Sequence, residues 1–289
     1  MNTKAVILED NQLVKDELSA EFITEKLKER GIFLAVQVEK TVDSTNNVLK
    51  GYAAAGEERD MVLLSGEQSA GRGRRGRSFF SPEGTGIYLS LLLHPKVSPG
   101  ESTMLTTLTA AAAAGAIETV TGVETQIKWV NDVFVRGKKI AGILTEASLV
   151  PGREVPEYVV VGIGFNLYMP KGGFPEELRE VAGSILESSR RLYHLRNRLA
   201  SEFLIRFMEY YRTFPGRNYL EEYRRRCFVI GRRVRILEPE GALGRSAKRV
   251  DHGREYAKVL GVDEECHLRV QYDDGTEELL SGGEISIRL

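Results

Sequence analysis

Hydrophobic and charged positions alternate along much of this chain with the period of an amphipathic helix. The clearest case lies within residues 195–213, where the apolar side chains recur every four positions and would form one buried face; they are Leu195, Leu199, Phe203, Phe207 and Tyr211. The same reasoning predicts further helices at 12–30, from an Asp43-Ser44-Thr45 cap to about Ala55, and at 102–121, 182–186 and 219–227.

Short apolar runs bounded by turn residues predict strands. In the first part of the chain they fall at 33–42, 61–65, 87–93, 126–129, 133–135, 140–146 and 158–165. From Phe228 onward the runs are shorter, at 233–237, 257–261, 267–272, 277–280 and 285–289, with a hairpin turn at Asp273-Asp274-Gly275-Thr276. We therefore expect an α+β domain over residues 1–227 and a small β-barrel over residues 228–289.

Composition narrows the class of protein. Hydrophobic residues make up 42% and charged residues 28% of the chain, which is ordinary for a soluble globular protein. The formal net charge of −1 argues against a protein that coats nucleic acid. The most apolar helix, at 102–121, is interrupted by threonines and a glycine, so we interpret it as a buried helix and expect no membrane span. Two isolated cysteines, Cys227 and Cys266, and a start without a signal-peptide pattern predict a cytoplasmic location.

The segment with the most chemical information is the loop from Gln68 to Arg77, which reads Gln-Ser-Ala-Gly-Arg-Gly-Arg-Arg-Gly-Arg. Its guanidinium groups would repel one another in a folded loop unless anions lay among them. Arginine binds phosphate and carboxylate with a planar fork of donors, and glycine lets the backbone approach a ligand. The loop therefore predicts a site for more than one negative group, such as a nucleoside triphosphate beside a carboxylate substrate.

Other interpretations of this loop remain open from the residues alone. Gly71-x-Gly73-x-x-Gly76 has the spacing of a dinucleotide-binding fingerprint, but that motif must open a helix, and Ser78 to Pro82 does not favour one. A phosphate-binding loop that ends in Gly-Lys-Ser/Thr is not present in this stretch. An RNA-binding Arg-Gly segment would normally be of low complexity, whereas this loop lies between two apolar strands.

A second cluster lies within residues 126–146. Lys128 and Asn131-Asp132 flank a tight turn, and a hairpin returns through Lys138-Lys139. Asp132 could hold Mg²⁺, which prefers carboxylate and phosphate oxygens, and Lys139 could stabilise charge that develops at phosphorus. A plain hairpin with solvated lysines would give the same pattern.

Two smaller features complete the set. Gly162 and Gly164 lie in a buried strand that ends at Asn166, and they indicate close approach of a ligand or a neighbouring strand. The hydroxyls of Ser44 and Thr45 at a helix N-terminus suit an anion or a ureido-like ligand, although an ordinary helix cap explains them as well.

In this order, these segments resemble those of the biotin protein ligases. The matching runs are Val-Asp-Ser-Thr-Asn (42–46), the loop at 68–77, Lys-Trp-Val-Asn-Asp (128–132), Lys-Lys-Ile-Ala-Gly-Ile-Leu-Thr-Glu (138–146), Gly-Ile-Gly-Phe-Asn (162–166) and Ser-Gly-Gly-Glu-Ile-Ser-Ile-Arg (281–288). The resemblance implies a mixed sheet flanked by helices, like that of class II aminoacyl-tRNA synthetases, followed by an SH3-like barrel. It also implies a ligase that activates biotin with Mg·ATP to biotinyl-5′-AMP and transfers biotin to a lysine of a biotin carboxyl carrier protein or carboxylase.

The resemblance also implies roles for residues, with Lys139 and Arg74 as the catalytic pair. Biotin would be bound by Ser44, Thr45, Asn46, Gln68, Arg72, Gly73, Arg74, Lys139 and Gly142. ATP and the adenylate would be bound by Arg72, Arg74, Arg77, Phe79, Asn131, Asp132, Asn166 and Arg288, with Asp132 also holding Mg²⁺.

Two positions depart from the family pattern. Val130 stands where the family often has proline, and Phe79 stands where it often has tryptophan. Neither change removes a charged group, so we expect activity to persist, with Phe79 stacking on adenine over a smaller area.

The resemblance leaves partners and rivals to be tested. Many relatives carry an N-terminal DNA-binding domain, which about 41 residues before Val42 would not accommodate, so we expect no operator binding. A homodimer is possible by the resemblance. The nearest rival enzyme is a lipoate ligase or octanoyl transferase, and a nucleic-acid-binding module is the rival from another class.

Overall fold

The computed structural model describes residues 16–187, 192–237, 255–282 and 284–286. Its helices are α1 (Ala20–Lys28), α2 (Thr45–Ala54), α3 (Pro99–Ser102), α4 (Leu105–Thr121), α5 (Leu195–Tyr211) and α6 (Leu220–Arg226). The strands before α5 are β1 (Ala35–Glu39), β2 (Met61–Ser65), β3 (Gly86–Leu93), β4 (Gln126–Lys128), β5 (Asp132–Val135), β6 (Lys138–Ser148) and β7 (Tyr158–Asn166). Those after α6 are β8 (Arg233–Leu237), β9 (Tyr256–Val262), β10 (Leu268–Tyr272), β11 (Glu277–Leu280) and β12 (Glu284–Ser286).

The first seven strands form one mixed sheet in the order β1-β2-β3-β7-β6-β5-β4. Only β1 and β2 are parallel, and all the other neighbours are antiparallel. Both faces are covered. Along β2, Val62 and Leu64 join the main core with α4, while Met61 and Leu63 pack with Leu49 of α2 on the opposite face. This is the predicted mixed sheet flanked by helices.

The last five strands form a second, antiparallel sheet in the order β11-β10-β9-β8-β12, as expected for an SH3-like domain. It packs directly on the first sheet, because Phe228 contacts Phe134 of β5 and the Trp129 indole donates to the carbonyl of Cys266 at 3.0 Å. Buried apolar residues of both sheets belong to one continuous core. The predicted boundary near Cys227 lies between α6 and β8, and the division into two domains stays a prediction.

The alanine-rich helix is the centre of the main core. Among the described residues, Pro99–Thr121 is the one helical stretch long and apolar enough to cross a membrane, and 72% of its most apolar window is buried inside the protein. The predicted helix at 102–121 is interrupted at Thr103 and Met104, so that a short capped turn, α3, precedes α4. Burial among the core residues confirms that this is a core helix.

Two predicted helices were wrong in part or entirely. Of the helix predicted at 12–30, residues 12–15 lie outside the described part, and α1 begins only after its Ser19 cap. Before it, the Asp16 carboxylate accepts a hydrogen bond from the Arg196 backbone at 2.9 Å, which holds the chain away from helical geometry. Residues 182–186 are not helical, because they pair with neighbouring strands through the Lys139–Ala182 and Tyr168–Leu186 bridges.

Candidate active site

The arginine loop is part of the connection between β2 and β3, and it does not begin a long helix. Gly71 accepts from the Phe79 backbone at 2.8 Å, and Gly73 donates to Arg77 at 2.7 Å, so the two ends of the loop lie side by side. Between them is a single 3-10 turn, in which Arg75 adopts a positive φ of 58°. The dinucleotide fingerprint therefore lacks the helix that its chemistry requires.

Behind this loop lies a row of residues in register across the sheet. Asp132 of β5 pairs with Gly142 of β6, Gly142 pairs with Gly164 of β7, and Gly164 pairs with Tyr88 of β3. Side chains paired in register share a face of the sheet, so the two glycines leave a flat strip of backbone between Asp132 and Tyr88. Of the two glycines predicted to allow close approach, Gly164 lies in this strip, and the approach of a ligand there stays a prediction.

The Phe79 ring occupies this strip. A Cβ on Gly164 would lie 2.4 Å from Cε1 of Phe79, and one on Gly142 would lie 3.1 Å from Cε2. The ring also meets Tyr88 edge-on, with the centroids 6.4 Å apart. Phe79 thus forms a wall between two cavities, and the absence of a side chain at Gly164 leaves room for its ring.

The larger cavity, of about 600 Å³, lies on the Asp132 side of this wall. The arginine loop, the β5–β6 hairpin and the C-terminal sheet all contribute to its lining. Its volume falls in the usual range for small-molecule sites. The predicted residues that it brings together are Gly73, Arg74, Arg77, Phe79, Asn131, Asp132, Lys139 and Asn166.

Charged groups of the hairpin and the loop meet in this cavity. The Lys139 ammonium lies 2.7 Å from Asp132 Oδ1, and both side chains are largely buried. Arg74 Nη1 donates to Asn131 Oδ1 at 2.9 Å, while the Asn131 amide donates to the Ile143 carbonyl at 3.1 Å. Through Asn131, these hydrogen bonds connect the arginine loop to β6, the strand that carries Lys139.

A residue of α6 supports this hairpin from behind. The Tyr223 hydroxyl donates to the Val130 carbonyl at 3.2 Å, directly before Asn131 and Asp132. Complete burial raises the pKa of Tyr223 well above its ordinary value, so the hydroxyl stays protonated and keeps donating. The hydrogen bond from Tyr223 therefore holds the turn at Val130, the position where the family often has proline.

The smaller cavity lies on the other side of Phe79 and has a volume of only about 20 Å³. That is room for roughly one water molecule. The predicted residues that line it are Ser44, Thr45, Asn46, Gln68, Arg72, Phe79 and Gly142. Gly73 and Lys139, also predicted for biotin, line the larger cavity instead.

Polar groups of the smaller cavity are held by hydrogen bonds across three elements. Gln68 Oε1 accepts a hydrogen bond from the backbone N–H of Thr45 at 2.9 Å. A glutamine, rather than one of the predicted capping hydroxyls, therefore accepts from the first backbone N–H of α2. The Ser90 hydroxyl of β3 donates to Asn46 Oδ1 at 2.6 Å and lies 2.7 Å from the Thr45 hydroxyl. The Ser44 hydroxyl lines the cavity and makes no hydrogen bond within the described part of the chain, so the helix-cap prediction was wrong for this side chain.

Glu146 is a member of this network that the sequence analysis did not single out. It accepts hydrogen bonds from Asn46 at 2.8 Å, Lys50 at 3.0 Å and Arg72 at 3.0 Å. Burial raises the pKa of Glu146, but the hydrogen bonds from Asn46 and Lys50 and the charge of Arg72 outweigh it, so the pKa lies below its usual range. The signal that could have found Glu146 is the arginine loop, whose cations require carboxylate partners.

The loop therefore divides its arginines between the two cavities: Arg72 is fixed beside the smaller one by Glu146, and Arg74 is fixed in the larger one by Asn131. Arg288 lies outside the described residues. Nearby Ile285 and Ser286 of β12 line the larger cavity, so the C-terminal sheet does reach the site.

The chain is similar to known ligases. The model of the Biotin/lipoate A/B protein ligase family matches residues 38–166. The bifunctional ligase/repressor BirA of Bacillus spizizenii is 30% identical over 243 residues, which cover 83% of this chain and 70% of that protein. The biotin--[acetyl-CoA-carboxylase] ligase of Mycobacterium tuberculosis is 35% identical over 207 residues, 68% of this chain and 73% of that protein.

Solved structures agree with these sequence matches. The biotin protein ligase from Aquifex aeolicus in complex with biotin and ATP superposes with a TM-score of 0.69 and is 26% identical, and the match covers 89% of this chain and 99% of that one. A biotin--[acetyl-CoA-carboxylase] ligase of Paracoccus denitrificans is 40% identical over 129 residues, which cover 43% of this chain and 51% of that protein. The chain therefore belongs to the biotin/lipoate A/B protein ligase family, and within that family to the biotin protein ligases.

Proposed function

We propose that this protein activates biotin with Mg·ATP to biotinyl-5′-AMP and then transfers the biotinyl group to a lysine of a biotin carboxyl carrier protein or carboxylase. The observation that carries the proposal is that the arginine loop and Lys139 line one cavity, which Phe79 separates from a second, polar cavity. The larger cavity would receive the nucleotide, and the polar groups of the smaller one would receive the ureido ring of biotin.

The first step brings two anions together. A carboxylate oxygen of biotin attacks the α-phosphorus of ATP, the bond between the α-phosphorus and its bridging oxygen breaks, and pyrophosphate leaves. The cations must offset the repulsion and hold the reactants in line. Arg74 and Lys139 serve this purpose, because both are fixed in the larger cavity by neighbours on the β5–β6 hairpin.

Biotin would lie along the smaller cavity. Ser44, Thr45, Asn46 and Gln68 would bind the ureido group, Arg72 and Gly73 would cover it, and Gly142 would lie beside the ring. A volume of about 20 Å³ is too small for biotin, so the Phe79 ring has to leave the glycine strip when biotin enters. A ring displaced toward the larger cavity would stand where adenine needs an aromatic surface.

The nucleotide would occupy the larger cavity. Arg72, Arg74 and Arg77 would approach its phosphates from the loop, and Asn131 and Asn166 would approach from the ends of strands. Arg288 would close the site from the C-terminal sheet, in line with the position of Ser286. Closure of the loop protects the adenylate from water, which would otherwise hydrolyse the mixed anhydride.

Mg²⁺ is the metal that this chemistry implies, and Asp132 fits it. Asp132 Oδ1 is buried and accepts no aligned hydrogen bond from the described residues, so the Lys139 ammonium at 2.7 Å is its ionic neighbour. Mg²⁺ takes few protein carboxylates and completes its shell with water and phosphate oxygens, so one aspartate is sufficient. When bound with ATP, the ion neutralises charge on the phosphates.

In the second step, the amine of the acceptor lysine attacks the acyl carbon, the bond from that carbon to the phosphate oxygen breaks, and AMP leaves while the amine loses a proton. The carrier protein is the partner that this step requires.

A net charge of −1 supports a ligase without DNA binding, and two buried free thiols, Cys227 and Cys266, support a cytoplasmic enzyme. A homodimer stays a prediction, for which light scattering of the purified protein is the measurement.

The deciding experiment is ATP-dependent transfer of labelled biotin to a purified carrier domain. Incorporation that needs ATP, Mg²⁺ and the acceptor lysine would support the proposal. Absence of incorporation with properly folded protein would refute it. Thermal shifts with biotin and with lipoate, measured in parallel, would separate the proposed ligase from its nearest rival.

A further inference from the structure

One arginine of the larger cavity differs from its neighbours in the chain. Residues 217–235 contain many arginines, and almost all of these are paired with carboxylates: Arg217, Arg224, Arg225, Arg226, Arg233 and Arg235. Arg232 makes no ion pair or side-chain hydrogen bond with any of the described residues. It nevertheless lines the cavity that contains Arg74, Asp132 and Lys139.

An aromatic surface holds the Arg232 side chain in place. Its guanidinium lies over the Phe228 ring, 5.4 Å from the centroid. Stacking of this kind fixes the plane of the guanidinium and leaves its N–H donors available for a ligand. The backbone on either side is also fixed, since Arg232 donates to the Val229 carbonyl at 3.0 Å and accepts from Val259 at 2.9 Å.

The aromatic ring that holds Arg232 packs on the β5–β6 hairpin. Phe228 packs on Phe134 with centroids 5.5 Å apart, and its backbone donates to the Ile127 carbonyl at 3.2 Å. Phe134 follows Asp132 by two positions on β5, about 7 Å along the strand, and both line the cavity. Arg232 is therefore positioned at the cavity by Phe228, which packs on Phe134, two residues from Asp132.

Charge in the cavity indicates what Arg232 would bind. Among the described residues, the cationic side chains of the lining are Arg74, Arg75, Arg77, Lys128, Lys139 and Arg232, and the carboxylates are those of Asp132 and Glu180. One carboxylate and one α-phosphate do not require so many cations. A triphosphate also brings its β- and γ-phosphates, and these leave together after the first step.

We propose that Arg232 binds the β- and γ-phosphates of ATP and then the departing pyrophosphate. The assignment rests on the proposed function and extends it, because it gives Arg232, which lies between α6 and β8, a role confined to the adenylation step. Arg74 and Lys139 act at the reacting atoms, whereas Arg232 enters the cavity lining from the segment between α6 and β8 and positions the leaving group. Biotinyl-5′-AMP lacks both terminal phosphates, so the transfer step does not use this side chain.

The test compares Arg232→Gln with Arg233→Gln, a matched control whose arginine is paired with Asp273. We expect Arg232→Gln to weaken binding of inorganic pyrophosphate, measured by calorimetry with Mg²⁺, by about tenfold, the loss typical of one charge-assisted hydrogen bond. The KM for ATP should rise by a similar factor. Transfer from chemically prepared biotinyl-5′-AMP to the carrier should match the wild type, and Arg232→Lys should recover part of the loss.

Three outcomes would overturn the assignment. They are unchanged pyrophosphate affinity, an equal loss in Arg233→Gln, and a transfer step from prepared adenylate that falls as far as adenylation does. The last result would indicate that Arg232 binds an acidic acceptor or supports the fold. Because the pyrophosphate titration needs no turnover, it tests Arg232 even if the wild-type protein forms no adenylate, a result that would refute the proposed function alone.

Discussion

The ammonium of Lys139 lies 2.7 Å from Oδ1 of Asp132 across the β5–β6 hairpin. Each group thereby offsets the charge of the other while both remain largely buried. A substrate carboxylate or phosphate that enters the cavity would compete with Asp132 for Lys139. A metal ion that approaches Asp132 would free the ammonium for the reactants. In the proposed first step, binding of the metal ion at Asp132 would thus make the Lys139 ammonium available to the reactants.

Lys139→Ala should therefore stop adenylate formation without unfolding the protein. Loss of a cation that stabilises charge in the transition state typically lowers kcat by about 100-fold or more. Pyrophosphate release by the purified variant is the measurement, with circular dichroism to check the fold. Lys40→Ala removes an exposed charge and is the control. Wild-type turnover in Lys139→Ala would remove this residue from the mechanism.

Asp132→Asn should separate nucleotide binding from biotin binding. The amide keeps the shape of the side chain but loses the charge that attracts Mg²⁺. We expect Mg·ATP affinity, measured by calorimetry, to fall about tenfold, while biotin affinity stays within about twofold. If ATP bound equally well with and without Mg²⁺ in the wild type, Asp132 would have no metal role.

Arg74→Gly should release biotinyl-5′-AMP prematurely. Arg74 ties the loop to Asn131, so its loss lets the loop open over a formed adenylate. Labelling of bystander proteins should rise several-fold, measured by blotting after incubation with biotin and ATP. Arg153→Gly, an exposed turn position outside both cavities, is the control. Labelling that does not rise would argue against a lid function for Arg74.

Gly164→Ala should impair biotin binding more than stability. The added Cβ would lie 2.4 Å from the Phe79 ring and would narrow the strip that the proposed biotin site uses. The ring can move aside, so we expect the folded state to survive, with biotin affinity lowered about tenfold or more by calorimetry. Gly261→Ala on β9, where a Cβ would meet nothing within 4 Å, is the matched control. Equal biotin affinity in both variants would place biotin elsewhere.

Glu118→Gln tests an ion pair that fixes α6 against α4. Its partner Arg226 is only 4% exposed, and the hydrogen bond from Arg226 lowers the pKa of Glu118 to about 2. A carboxyl whose pKa is depressed by folding stabilises the protein above its unfolded pKa of about 4.3, and that contribution is lost as the pH falls toward about 2.

The free energy of unfolding of Glu118→Gln should thus be lower than that of the wild type by about 2 kcal/mol at pH 7. The difference should shrink steadily below about pH 4.3. Urea denaturation at several pH values measures it. Glu29→Gln, which disrupts an exposed pair with Lys26, is the control and should leave the free energy of unfolding nearly unchanged, because solvent screens this pair. A difference that does not depend on pH would show that Glu118 acts through packing.

The local sequence predicted helices and strands well where a whole strand, or one whole face of a helix, is buried. Residues 61–65 form a fully buried strand with the predicted bounds, because an apolar five-residue run between polar segments has few other stable conformations. The helix at Leu195–Tyr211 follows its four-residue period. The helix prediction failed at 182–186, because so short a segment does not nucleate a helix by itself. Its first residue, Ala182, instead pairs with Lys139.

The candidate site was predicted by residue type but not by arrangement. The sequence identified Arg72, Arg74 and Lys139, since clustered cations imply anions. It missed Glu146, which lies 100 residues from Asn46 along the chain and binds it at 2.8 Å. It also missed Arg232, which differs from the neighbouring arginines because they pair with carboxylates and it forms no ion pair with any of the described residues.

The sequence by itself determined which chemical groups this protein can offer: guanidinium groups on a glycine-rich loop, an ammonium and a carboxylate on a hairpin, and hydroxyls before a helix. The charge and donor pattern of a side chain are covalent properties, so they can be read without a fold. Only the tertiary structure decided that Phe79 lies over Gly142 and Gly164 and that Arg72 and Arg74 serve different cavities. Those facts depend on sheet order and register, which place β3, β7, β6 and β5 side by side and arise from packing of the whole chain rather than from any local segment.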